Sequence, residues 1–161
     1  MAIVKTRTDW AAIVIATAGG AGFAPKAPGT FGSLVGVLIY VLIEAVHGGA
    51  YYLHAIIFFL IVGIWASSRV ERLWGHDSQR IVIDEVIGQM IAFGMAAGRD
   101  RLSALDIVLG FGLFRLFDIV KPFPIRYLEK FKGGLGVVAD DVGAGIFALA
   151  VLTLVVHYVH G

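Results

Sequence analysis

The segment that most constrains the fold of this chain lies near its C-terminus, where residues 142–159 contain no Asp, Glu, Lys or Arg. A helix crosses the hydrocarbon core of a bilayer with about 17–25 predominantly apolar residues. Residues 50–66 have the same apolar character, and Tyr51, Tyr52 and Trp65 near their ends are of the types enriched at membrane interfaces. Both segments therefore predict transmembrane helices.

The composition of the whole chain supports this prediction. Of its 161 residues, 58% are hydrophobic and 16% are charged, whereas a soluble domain has about 25% charged residues. A soluble domain of this length has too little interior for so many apolar side chains, so we expect lipid to cover part of the surface. The alternative is an unusually apolar soluble helical domain. The length predicts a single domain over residues 1–161.

Three further apolar segments, residues 33–46, 81–97 and 104–120, bring the predicted number of crossings to five. Helix is favoured over strand because the segments are long and do not alternate, and because an open sheet leaves backbone groups unpaired in lipid. Some of these segments are short or contain charged residues, so short, tilted and re-entrant spans all stay open. The predicted fold class is all-α, a compact multi-pass transmembrane helical bundle.

Five crossings would distribute the basic residues unevenly. One side of the membrane receives ten of them: Lys5, Arg7, Lys26, Arg69, Arg72, Arg80, Lys121, Arg126, Lys130 and Lys132. The other side receives Arg99 and Arg101, while Arg115 lies within a segment. Because cytoplasmic loops carry the excess of Lys and Arg, the first side is predicted to be cytoplasmic.

Several classes of function are disfavoured. The chain has no cysteine, which excludes disulfides and thiolate metal sites. Its net charge is +1 and it has no basic stripe, so we expect no nucleic-acid partner. The first apolar stretch runs into Pro25 and Pro28 and not into a small-residue cleavage site, so no removable signal peptide is expected.

The same topology gathers the unusual polar clusters on the cytoplasmic side, and this predicts a functional site at that face. These clusters are residues 25–33, His76-Asp77, Asp84-Glu85, Arg115 with Asp118 and Lys121, and Asp140-Asp141. A charged side chain at membrane depth costs about 2.5–3.5 kcal/mol, so such acids face a cavity, a partner or an ion. Carboxylate oxygens are ligands that suit Mg²⁺. The alternative is that Arg115 and Asp118 form an ordinary helix salt bridge and that Asp140 is an N-cap.

Phosphate-binding groups are predicted around the turn Ala27-Pro28-Gly29-Thr30. Thr30 is expected to cap a helix with Ser33 in its first turn, and free N–H groups at a helix start bind anions. Helix starts are also expected near Asp77-Ser78 and Asp140-Asp141. Arg115 and Lys121 could neutralise phosphate, and Lys26 could attract an anionic headgroup. Pro122 is expected to end the helix at Lys121, and residues 130–136 are expected to form a flexible basic loop.

Taken together, these motifs resemble the phosphatidylglycerophosphatase A family of bacterial lipid phosphatases. The matching elements are Ala27-Pro28-Gly29-Thr30 with Gly32-Ser33, Ile83-Asp84-Glu85 with Gly88, Phe114-Arg115 with Phe117-Asp118, Lys121-Pro122 with Pro124-Ile125, Gly133-Gly134 with Gly136, and Asp140-Asp141 with Ala144-Gly145. The resemblance implies an all-helical fold and Mg²⁺-dependent hydrolysis of phosphatidylglycerophosphate to phosphatidylglycerol at the inner face of the cytoplasmic membrane. One departure is Val137-Val138-Ala139, where the family more often has bulkier apolar residues.

The resulting hypothesis assigns Mg²⁺ to Asp84, Glu85, Asp140 and Asp141, with Asp118 either a ligand or a group behind the ligands. Substrate phosphate would be bound by Thr30, Ser33, Arg115 and Lys121, with Lys26 toward the headgroup. Asp84, Asp118 and Lys121 are the predicted catalytic residues, with Asp84 favoured as general base. A covalent aspartyl-phosphate stays open.

Other functions also stay open. A transporter could use intramembrane acids, although it would be expected to place them nearer the midplane and on both sides. A non-catalytic membrane protein with a structural carboxylate cluster and another lipid phosphoryl enzyme are further alternatives. The oligomeric state cannot be read from the sequence.

Overall fold

The computed structural model describes residues 6–47, 49–75, 78–94, 102–128 and 133–160, and all regular structure within them is helical. The helices are α1 (Arg7–Ala16), α2 (Pro28–His47), α3 (Tyr52–Trp74), α4 (Ile83–Ala92), α5 (Ala104–Val120), α6 (Ile125–Leu128) and α7 (Gly134–His160), with a 3-10 segment (Ala18–Phe23) between α1 and α2. The predicted all-α fold class is confirmed. His76, Asp77, Arg99, Arg101 and Lys130, which entered the predictions, lie outside the described residues, as do Lys5 and Lys132.

Three helices, α2, α3 and α7, are long and apolar enough to cross a membrane. They correspond to three of the five predicted crossings, and the chain is a membrane protein. Their outward faces carry exposed large apolar side chains, such as Leu38 on α2, Ile61 on α3 and Leu154 on α7. Exposed apolar faces of this extent fit a lipid environment.

Helix α4 is much shorter than the predicted crossing over residues 81–97. It has 10 residues and a length of about 15 Å, roughly half the thickness of the hydrocarbon core. Of the alternatives that the sequence left open for this segment, the described helix therefore fits a short or re-entrant span; residues 95–97 lie outside the described part of the chain. Helix α5 has 17 residues, near the lower limit for a crossing.

The short helix α4 lies inside the bundle, packed mainly against α7 and α2 and also against α3. Its side chains Val86, Ile87 and Met90 are fully buried. Glycines allow the close packing: a Cβ at Gly36 of α2 would clash with Val86 and Gln89, and one at Gly145 of α7 would clash with the backbone of Gly88. Small residues at such interfaces let helix backbones approach closely in membrane proteins.

The helix ends correct several local predictions. Helix α2 begins at Pro28, so Thr30 is its third residue and not its N-cap. Helix α4 begins at Ile83, so Ser78 is not a helix start. Helix α5 ends at Val120, as the prediction from Pro122 required, and Lys121 adopts a left-handed conformation with φ of 44°.

The start of α7 differs most from the prediction. Gly134 begins this helix, so Asp140 and Asp141 lie in its second turn and do not precede it, and Gly134-Leu135-Gly136 is helical where a flexible loop was predicted. The reason is tertiary: the Gly134 N–H donates to Ser68 Oγ of α3 at 3.1 Å. A Cβ at residue 134 would clash with the backbone of α3, so a glycine is needed for α7 to begin in that place.

Candidate active site

Three carboxylates from two helices meet at one end of the bundle. Asp84 and Glu85 stand in the first turn of α4, Asp141 stands in the second turn of α7, and one ligand oxygen from each lies within 4.8 Å of the others. Asp84 Oδ1 and Glu85 Oε2 are buried and have no hydrogen-bond partner among the described residues. Buried, unpaired carboxylate oxygens facing one another have the character of a cation site.

Local sequence explains how these acids reach this position. The start of a helix favours negative charge, which suits Asp84 and Glu85 in the first turn of α4. Buried Ile83 and Val86 hold the same turn in the core. Gly29 at the start of α2 leaves room for Glu85, because a Cβ at residue 29 would clash with the Glu85 carboxylate.

The electrostatics of the first turn of α4 favour a counter-charge. Burial raises the pKa of Asp84 well above its usual range, and the negative charges of Glu85 and Asp141 add to this effect. Burial also raises the pKa of Glu85. Several carboxylates that are close together and desolvated resist ionisation. A divalent cation would remove this cost and leave all three acids ionised.

Two ion pairs stand beside the three carboxylates. Arg115 Nη1 lies 2.6 Å from Asp118 Oδ2, and Lys121 Nζ lies 2.6 Å from Asp140 Oδ2. Arg115 Nη1 is also 3.5 Å from Ser33 Oγ, and that hydroxyl donates to the Gly29 carbonyl at 3.0 Å. Arg115 is therefore held by side chains of α5 and α2. Lys121, in the turn after α5, is held by a side chain of α7.

A cavity of about 410 Å³ joins the two ion pairs to the three carboxylates. Its charged lining residues are Asp84, Glu85, Arg115, Asp118, Lys121, Asp140 and Asp141. Both signs of charge thus face one space, with carboxylates suited to a hard cation and two cations suited to phosphate oxygens. Such a site can bind a phosphate ester through a metal ion and direct contacts together.

Seven of the ten predicted site residues line the carboxylate cavity, and Ser33 contacts one of them, Arg115, from outside the lining. Asp140 lines the cavity but bonds to Lys121, outside the group formed by Asp84, Glu85 and Asp141. Among the predicted phosphate-binding residues, Lys26 is exposed, Thr30 is half-buried and Ser33 is fully buried. None of these three lines the cavity.

The cavity is also lined by residues that were not among the ten predicted site residues. Pro28 and Gly29 line the cavity where Thr30 was expected to do so, because α2 begins at Pro28 and not after Thr30. Gln79, together with Ser78, forms a further wall. Gln79 carried no recognisable sequence motif, since it lies in an irregular segment ahead of α4.

Carboxylate oxygens are the donor set that Mg²⁺ prefers. The unpartnered oxygens of Asp84 and Glu85, together with nearby Asp141, supply that donor set. The residues present therefore fit a magnesium ion.

Comparison with known proteins adds to this geometry. The sequence model of the family Phosphatidylglycerophosphatase A matches residues 14–156. The chain is 36% identical over 147 residues to phosphatidylglycerophosphatase A of Haemophilus influenzae, covering 90% of this chain and 88% of that protein. It is 30% identical over 147 residues to phosphatidylglycerophosphatase A of Escherichia coli K12, covering 90% of this chain and 83% of that protein.

A further relative carries a different name. Over 159 residues the chain is 37% identical to a protein of Bacteroides thetaiotaomicron that is provisionally named a phosphatidylinositol-3-phosphatase, covering 96% of this chain and 99% of that protein. No solved structure matches this chain. The match of the family model extends over α2 to α6 and most of α7 and includes every residue of the carboxylate cavity. This chain belongs to the phosphatidylglycerophosphatase A family.

Proposed function

We propose that this protein hydrolyses the phosphomonoester of phosphatidylglycerophosphate to give phosphatidylglycerol and inorganic phosphate, with Mg²⁺, in phospholipid biosynthesis at the cytoplasmic face of the inner membrane. The observation that carries the proposal is the group of three carboxylates, two with buried unpaired oxygens, beside two cations in one cavity. The names of two relatives supply the substrate. The excess of Lys and Arg that the sequence predicts on the side of the site supports the cytoplasmic orientation.

In this proposal Asp84, Glu85 and Asp141 hold the metal. Bound Mg²⁺ would neutralise phosphate charge and lower the pKa of an attacking water. Asp140 remains paired with Lys121 in this proposal. The protein therefore supplies three metal ligands and not the four that were predicted from the sequence. Phosphate oxygens and water would complete the coordination, as is common for Mg²⁺.

The two cations, Arg115 and Lys121, are proposed to bind the phosphate from beside the carboxylates. The Arg115 guanidinium is oriented by Asp118 and Ser33, so its remaining N–H groups can donate to phosphate oxygens. Lys121 is fixed by its left-handed backbone and by Asp140. Both residues stabilise negative charge that develops during phosphoryl transfer. Lys26, which is exposed, is proposed to attract the anionic headgroup from outside the cavity.

Asp84 is the proposed general base. Its carboxylate lines the cavity that the substrate phosphate and the attacking water would occupy, which is the position a general base requires. Direct attack by water leaves no covalent adduct, whereas a nucleophilic aspartate forms a phosphoenzyme. Acid quenching with labelled substrate distinguishes the two, and an acid-stable labelled protein would contradict direct attack.

The proposal is tested by phosphate release from phosphatidylglycerophosphate in detergent micelles. We expect activity with Mg²⁺, loss of activity with EDTA, and a decrease of at least about 100-fold in Asp84→Asn and Asp141→Asn, because each removes a charge that holds the metal. Absence of phosphate release by the wild-type protein from any lipid phosphomonoester would overturn the proposal. Full activity in Asp141→Asn would overturn the assigned metal site.

One observation favours a second candidate substrate, a phosphatidylinositol phosphate. It is the 37% identity to the Bacteroides thetaiotaomicron relative, whose name refers to that lipid class. A phosphatidylinositol phosphate presents the same phosphomonoester chemistry on a different polyol. The same assay with this lipid, at matched concentration in the micelle, compares the two headgroups directly. A transporter is less well supported, because the clustered carboxylates stand at one end of the bundle, whereas a transport site is expected near the midplane.

A further inference from the structure

A second cavity adjoins the carboxylate cavity. Its volume is about 720 Å³, within the range of roughly 300–1,000 Å³ that is usual for small-molecule sites. The two cavities share Pro28, Ser78 and Gln79 in their walls. A molecule bound at the carboxylates could therefore extend past these residues into the second space.

Among the described residues that line the second cavity there is one cation, Arg80, and it lies against two aromatic rings. Arg80 Cζ lies 5.9 Å from the centre of the Phe23 ring and 5.9 Å from that of Trp74. These rings pack edge to face, with centroids 6.1 Å apart. Cation–π contacts of this kind restrain a guanidinium without neutralising its charge.

The backbone around Arg80 is also fixed. The Val82 N–H donates to the Ala16 carbonyl at 2.8 Å, and a Cβ at Gly22 would clash with the Arg80 carbonyl. The segment that carries Arg80 is therefore packed against the 3-10 segment and the end of α1. These contacts fix the position of the Arg80 backbone.

Arg80 differs from the two cations of the carboxylate cavity in its partners. Arg115 and Lys121 are each paired with an aspartate. Within the part of the chain that the structure describes, Arg80 has ring contacts and no carboxylate partner. A restrained cation that has no counter-charge among the described residues, beside a polar cavity, is suited to bind an anion of the ligand.

We propose that this second cavity binds the phosphodiester of the lipid substrate, with Arg80 as the residue that recognises it. The inference rests on the proposed function, since it places the scissile phosphomonoester at the carboxylates. The polyol between the two phosphates then passes Ser78 and Gln79. Phosphatidylglycerophosphate and phosphatidylinositol phosphate share this arrangement of monoester, polyol and diester. The substrate class is thus a phosphatidyl polyol phosphomonoester, and phosphatidic acid, which has no diester, lacks the group that Arg80 binds.

The experiment compares two lipids in uncharged detergent micelles. For Arg80→Gln we expect kcat/KM for phosphatidylglycerophosphate to fall roughly tenfold or more, as for loss of a hydrogen-bonded charge, mainly through a higher KM. The value for phosphatidic acid should change less than about twofold, since that lipid has no group for Arg80. Arg80→Lys, which keeps the charge, should restore part of the loss. Arg126→Gln is the matched control, because Arg126 is exposed and lines neither cavity.

The outcomes separate this inference from the function on which it rests. Wild-type protein that hydrolyses neither lipid would overturn both. Wild-type activity with equal losses for the two lipids in Arg80→Gln would show a structural role for Arg80 and overturn the inference alone. An equal effect of Arg126→Gln would show that general surface charge is responsible, and would also overturn it.

Discussion

At the scale of single residues, the absence of a side chain at Gly29 leaves the space that the Glu85 carboxylate occupies. Gly29 is the second residue of α2, and a Cβ there would fall on the Glu85 carboxylate and lie 3.3 Å from Arg115 Nη1. The turn containing Gly29 was predicted from the sequence as a phosphate-binding element. The structure gives it a second property, which is that it leaves space for a proposed metal ligand.

Replacement of this glycine should therefore weaken metal binding. In Gly29→Ala the Glu85 carboxylate has to move, and we expect the Mg²⁺ concentration for half-maximal activity to rise roughly tenfold or more, as for other groups that orient metal ligands. The measurement is a Mg²⁺ titration of phosphate release. Gly112→Ala is the control, because a Cβ at residue 112 meets no atom within 4 Å. An unchanged Mg²⁺ requirement in Gly29→Ala would contradict this account of the site.

At the scale of helices, the sequence identified apolar segments and the turns between them but misplaced the start of α7. The acids of Asp140-Asp141 were expected ahead of a helix because such residues often begin one. Instead, Ser68 of α3 accepts the first N–H group of α7. The two partners are far apart in the chain, so no local pattern could reveal the contact. The sequence left a short span open for residues 81–97 and could not decide it, because a helix enclosed by other helices is as apolar as one that crosses the membrane.

The neighbouring serines of α3 provide a matched test of this helix start. Ser68→Ala leaves the Gly134 N–H without its acceptor and should lower Tm by about 2–4 °C, which corresponds to about 1 kcal/mol for a chain of this size. Ser67 Oγ is buried with no hydrogen-bond partner among the described residues, so Ser67→Ala should leave Tm unchanged or raise it. Thermal unfolding in detergent checks both variants. Equal decreases in Tm would show that the Ser68 contact has no special importance.

At the scale of the whole molecule, the sequence predicted the class of fold and the convergence of distant acids, but not the details of the site. Asp84, Glu85 and Asp141 were predicted to meet because topology placed them on one side, and they do meet. Their separation from Asp140 could not be predicted, since it depends on how α7 is rotated against α4 and on the reach of Lys121. The second cavity with Arg80 was also not foreseen, because its walls combine the 3-10 segment, the start of α2, the end of α3 and the segment before α4, which are distant in the chain.

The orientation of the molecule is testable because the chain has no native cysteine. Arg126 lies at the end of the bundle that holds the carboxylates, whereas Tyr158 lies at the opposite end of α7, and both side chains are exposed. In intact cells we expect a membrane-impermeant maleimide to label Tyr158→Cys and to label Arg126→Cys only after lysis. Variants with retained activity make the result interpretable. The reverse labelling pattern would contradict the proposed cytoplasmic orientation.

The short length of α4 has a consequence for what happens to the reaction product. Below the carboxylates, Ile87, Met90 and Phe93 are fully buried and fill the centre of the bundle toward the other leaflet. In the proposed reaction, phosphate set free at the metal site would meet these packed side chains in one direction and the open cavity in the other. It would therefore leave toward the compartment from which the headgroup came, without crossing the bilayer.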